Sequence, residues 1–163
     1  MHRRHRTHSA PWLLALSATA GVWALAAAPS ALGPAAGQAI RDGFSGLCHQ
    51  LADRSPHLHG AQWALCYRCV GIVGGVALGL ASGPFASAWF ARAAEAWGGG
   101  RILLASGVPM LLDWLLGATG VWANTPVSRL ATGALFGLAA GWLLAEALLR
   151  TSTPPVSLTQ PTP

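Results

Sequence analysis

The chain has 163 residues, of which 53% are hydrophobic and 9% charged. A soluble domain carries about 25% charged residues, so a water-coated globule is excluded and a single membrane domain is expected. The net charge of +5 comes from arginine alone, and the arginines sit at the ends of apolar runs, which fits membrane topology and excludes a nucleic-acid patch.

Residues 1–10 form a basic head in which His2, His5 and His8 read as part of a solvated anchor. An uncharged run over 11–28 follows, at the short end of the ~17–25 residues that span a bilayer. A basic start, an apolar middle and Ala26-Ala27-Ala28 also fit a secretory signal peptide. The apolar run exceeds the roughly 7–15 residues of a signal core, so a retained helix is expected. Either reading places residue 30 outside the cytoplasm.

Residues 29–34 are rich in helix breakers. Ile40, Phe44, Leu47, Cys48 and Leu51 then recur at helical spacing, which predicts a short amphipathic surface helix over about 38–53. Ser55-Pro56 ends it. Residues 57–60 are a loop, and Trp63 and Tyr67 suit the aromatic belt at a membrane interface.

Cys66-Tyr67-Arg68-Cys69 opens the second span, about 70–90. Residues three apart share a helix face, so Cys66 and Cys69 can reach one point, and Cys48 can fold onto it from the apolar face of the surface helix. His49 is the first choice of fourth donor, with His57 and His59 behind it. Three thiolates and an imidazole make a closed tetrahedral zinc site, and an iron–sulfur centre is the second choice. Thiol–disulfide exchange is the competing chemistry. A helix N-terminus and Arg68 would lower a thiol pKa there, and Cys48 could serve as exchange partner. Four spans with C-x-x-C at the second are similar to the membrane quinone reductases that re-oxidise disulfide catalysts. Those carry a second cysteine pair in an outer loop, where this chain has only Cys48. Three cysteines cannot all pair internally, and an inert cluster or a static Cys66–Cys69 disulfide is the structural alternative.

The second span carries Gly71, Gly75, Gly79 and Gly83; the fourth, about 130–149, carries Gly133, Gly137 and Gly141. Such rails let helices approach closely in lipid, so the two pack on each other or on further copies. The third span, about 102–122, has Pro109 and a mid-span carboxylate, Asp113. A charge there costs about 2.5–3.5 kcal/mol on insertion scales, so Asp113 must be protonated, paired or near water. Arg68 and Arg129 can reach it. Its readings are a buried structural pair or a ligand, proton-relay or ion-path residue, and the last would make the chain a transport or assembly subunit. Arg54 and Ser55 fold over the same mouth. In the turn after the third span, Thr125 is a helix cap and Pro126 a first helical residue. Residues 150–163 read as a disordered Pro/Thr/Ser tail.

With the N-terminus inside, Arg3, Arg4, Arg6, Arg92, Arg101 and Arg150 lie inside, and Arg41, Arg54, Arg68 and Arg129 outside. The cysteine segment then faces the outer side of an inner, cytoplasmic membrane. Cys48-His49-Gln50, Arg54-Ser55 and Cys66-x-Arg68-Cys69-x-Gly71-Ile72 together resemble the signature of a small prokaryotic family of predicted membrane proteins, a domain of unknown function. Its later pattern is matched by Pro109, Asp113, Asn124, Arg129, Thr132 and Gly133. The resemblance covers about 47–141 and departs at Trp114, where a glycine is expected. It implies an all-α membrane bundle of three or four spans plus a surface helix, and a polar set acting as a unit. It implies no activity.

Overall fold

The computed structural model describes residues 10–151. The basic head with its three histidines and the Pro/Thr/Ser tail lie outside the described residues, apart from the edge residues Ala10, Arg150 and Thr151. The regular structure of the described chain is helical apart from one small hairpin. Five helices follow one another: α1 (Ala10–Ala27), α2 (Pro34–Phe44), α3 (Tyr67–Trp97), α4 (Gly99–Ala118) and α5 (Pro126–Thr151). Four of them, α1, α3, α4 and α5, are long and apolar enough to cross a membrane. Their outer surfaces stay apolar, with Phe85, Leu104 and Trp114 all exposed, as lipid requires and water would penalise.

The surface helix is shorter and earlier than the expected 38–53. Pro34 starts it at the first helical position, where a missing N–H costs nothing, and it ends at Phe44. The N–H groups of Leu47 and Cys48 then both bond to the Phe44 carbonyl, at 3.0 Å each, closing a tight turn through Gly46. Cys48 therefore sits beyond this helix, not on its face. A 3-10 turn (Ala52–Arg54) and the antiparallel hairpin β1 (His57–Leu58) with β2 (Ala61–Gln62) complete the connection.

Helix α3 starts before and runs beyond the expected 70–90, with Pro84 accommodated within it. Proline cannot donate to the carbonyl four residues back, Leu80. The Trp12 indole of α1 donates to that carbonyl at 2.8 Å, so the carbonyl keeps a donor. Gly98, at φ +80°, turns α3 directly into α4, a conformation that favours glycine. Helix α4 begins and ends about three residues earlier than expected, stopping at Ala118 before the left-handed Gly120.

The two glycine rails face each other. Gly71 meets the backbone of Leu130 and Ala134, and Gly79 that of Leu138 and Trp142. In return Gly133 lies on Arg68, Gly137 on Ile72 and Gly141 on Val76. A Cβ on Gly79 would come 2.6 Å from the Leu138 oxygen, so a side chain there would force the helices apart. The pairing advances in the same direction on both helices, so α3 and α5 run parallel, with α4 as the return between them. Their N-termini consequently lie at one end of the bundle, where the loop from α2 also arrives. There Ala26, Phe44, Cys48, Ala64, Leu65 and Val70 form a buried cluster, and the Ala64 N–H bonds to Ala26 at 2.9 Å.

Candidate metal centre

Cys66 caps the N-terminus of α3 in extended backbone, with φ −72° and ψ 162°. Cys69 follows within the first turn, and Cys48 enters from the turn after α2, 5% exposed. The Cys66 N–H points at the Cys48 sulfur, 3.3 Å away. The three Sγ atoms lie within 4.8 Å of one another, and all three cysteines are free. Tetrahedral zinc with Zn–S of about 2.3 Å needs sulfurs roughly 3.8 Å apart, so small side-chain rotations suffice to close the group on an ion. Hydrogen bonds from Cys48 and then Cys69 hold the Cys66 thiol well below its usual value, favouring the thiolate a metal takes.

None of the three histidines considered as fourth donor belongs to this sulfur group. His49 is exposed and lines the adjoining cavity. His57 Nδ1 lies 3.0 Å from the Ser55 carbonyl, and His59 forms the hairpin turn at φ +52°. Gln50, also left-handed at φ +50°, ties the loop down: its amide donates to the Arg41 carbonyl at 2.7 Å, and its own carbonyl accepts from Gln62 at 2.5 Å. Ser55 is buried and donates to the Leu51 carbonyl at 2.9 Å, which stiffens the turn that carries Arg54. Arg54 is half-exposed, pairs with Asp53 at 3.3 Å and lines the cavity.

Beneath the sulfurs lies a charged layer. Arg68 Nη2 meets Asp113 Oδ2 at 2.5 Å, with side chains 21% and 7% exposed. Asn124 donates to the Asp113 main-chain oxygen. Gly117, one turn after Asp113, leaves the space that the Asn124 side chain fills. Thr125 and Ser128 cap α5 reciprocally, at 3.0 and 3.1 Å. Thr132 donates back to the Ser128 carbonyl at 2.8 Å. Arg129 lines the cavity from α5. Ser55 and Thr132 are thus engaged with backbone, while Arg54, Arg68, Asn124 and Arg129 share the cavity with the cysteines.

That cavity, about 510 Å³, opens between the 47–54 loop, the start of α3, the end of α4 and the start of α5. Gly117, Ser128, Gln62 and the Trp12–Leu80 hydrogen bond were not singled out from sequence. The Thr125–Ser128 spacing alone carried a readable signal for Ser128, as a reciprocal cap.

Fold and site together define a polytopic helical membrane protein with a three-cysteine cluster at one end of its bundle. Residues 48–143 match the family described as predicted membrane protein (DUF2085). The chain belongs to that family, whose function is unknown. The matched segment starts at Cys48 and spans all three cysteines, Arg68, Asp113, Asn124 and Arg129. No curated protein and no solved structure matches the chain.

Proposed function

We propose that the protein is a metal-binding membrane protein in which Cys48, Cys66 and Cys69 hold one ion, zinc first and an iron–sulfur centre second. The observation that carries this reading is the convergence of three free sulfurs within 4.8 Å from a loop and a helix start 18 residues apart. Static packing does not require three thiols to meet, whereas a coordination site does. His49, at the rim of the cavity, is the nearest candidate for the fourth position by rotation of its side chain. The role is structural or sensory, since the ion would clamp the loop to the start of α3. The arginine distribution supports an outward-facing site on an inner membrane.

A membrane thiol oxidoreductase is the second reading, favoured by the lowered Cys66 thiol beside two further thiols. A transport role through Asp113 has less support, because Arg68 already engages that carboxylate. One experiment separates the first two. Detergent-purified full-length protein, prepared without oxygen or chelators, is analysed for metals and free thiols on one sample. The expected outcome is about one metal per chain, lost in each of Cys48→Ser, Cys66→Ser and Cys69→Ser. Unchanged metal content in all three variants overturns the metal site. A metal-free protein with a Cys66–Cys69 disulfide that cycles under mild reductant establishes the second reading.

A further inference from the structure

The cavity beside the sulfurs has an unbalanced charge. Its lining contains three arginines, Arg54, Arg68 and Arg129, and no carboxylate. Arg68 is matched by Asp113 below it. Arg54 has only Asp53, in an open pair whose side chains are 51% and 72% exposed, where water screens the interaction. The Arg129 guanidinium has no ion pair or hydrogen bond among the described residues, although the residue is half-buried. Arg129 is thus a cavity cation without a counter-ion among the described residues.

The rest of the lining mixes the apolar Leu51, Ile72, Met110 and Trp114 with the polar His49, Gln50 and Asn124. At about 510 Å³ the cavity is the size of a small-ligand site. It lies at the shared N-terminal end of α3 and α5, where the membrane-spanning segments begin. We propose that this cavity binds a monoanionic oxyanion group, a phosphate, through Arg129 and Arg54, with any apolar portion against Met110 and Trp114. The shared chemistry is a phosphate; a lipid headgroup and a free ion are its two sources. The binding does not depend on the metal reading, since Arg129 and Arg54 belong neither to the sulfur group nor to the Arg68–Asp113 pair.

The full-length protein in nanodiscs of phosphatidylcholine supplies the test. Binding of inorganic phosphate is measured by calorimetry, and retention of phosphatidylglycerol, added to the discs, by native mass spectrometry after release into detergent. Metal content is read on the same preparations. Saturable phosphate binding identifies a free ion, and retention of phosphatidylglycerol over phosphatidylcholine without phosphate binding identifies a headgroup. In either case Arg129→Gln should weaken binding about tenfold or more, with partial recovery in Arg129→Lys. Arg101→Gln, at the opposite end of the bundle, should leave it unchanged. If Arg129→Gln fails to fold, Arg54→Gln, on the exposed turn, carries the test with an expected loss of a few-fold. Absence of both bindings, or binding unchanged in the folded arginine variants, overturns the proposal. Loss of metal with anion binding intact would instead fault only the metal reading.

Discussion

Arg68 and Asp113 form a largely buried ion pair. Both side chains are largely withdrawn from solvent and lie 2.5 Å apart, on α3 and α4. Removing one partner strands the other charge, which costs about 3–5 kcal/mol in buried pairs. Arg68→Met should therefore lower the unfolding midpoint in detergent sharply. Asp113→Leu should do the same. The double variant should be less destabilised than the worse single one, because two apolar side chains leave no uncompensated charge. Thermal unfolding of the four proteins checks this, and additive losses in the double variant would show that the pair is not coupled. The same residue also explains why Arg68 matters to the sulfur site. It directly precedes Cys69, so the ion pair fixes the helix turn on which the thiol is presented.

At the scale of elements, the α3–α5 seam depends on hydrogen atoms where side chains would stand. Gly137→Val puts a branched side chain against the Ile72 backbone, where nothing flexible can yield. Overpacking of this kind typically costs about 1–3 kcal/mol, so the variant should melt earlier. Gly100→Ala, where an added Cβ meets nothing within 4 Å, should be neutral in the same assay. Since these rails are spent on each other within one chain, they offer no free small-residue face to a second copy. The α1–α3 contact has its own test. Trp12→Phe should cost about 1 kcal/mol by stripping the Leu80 carbonyl of its donor. Pro84→Ala restores a backbone donor to that carbonyl, so Trp12→Phe should cost less in the Pro84→Ala background. An equal cost in both backgrounds would show that the indole hydrogen bond is incidental.

Across the whole molecule, four spans place both described termini on one side and the cysteine end on the other. Alkaline phosphatase fused after Ala123 should be active in a bacterial host and inactive when fused after Arg150, because the reporter folds only outside the cytoplasm. The reverse pattern would put the sulfur site in the cytoplasm, where thiols stay reduced. The sequence by itself determined the membrane class, the four apolar spans and the glycine rails. Low charge, run length and periodicity are local properties, and each survives without knowledge of what packs on what. It also named Arg68 and Arg129 together as side chains within reach of Asp113, since a mid-span carboxylate must be protonated, paired or near water. Only the tertiary structure decided the rest. The break after Phe44 is set by a turn that buries Cys48 in a cluster drawn from α1, α2 and α3, so helical spacing over 38–53 misplaced it. Arg129, equally placed in sequence to pair with Asp113, is left facing the cavity because the parallel docking of α3 on α5 gives Arg68 the closer approach. Gly117 and Asn124 become one site residue pair through a single helix-end turn that no local pattern announces. Long-range packing chooses among contacts that sequence spacing leaves equivalent, and the cavity between loop, α3, α4 and α5 exists only once that choice is made.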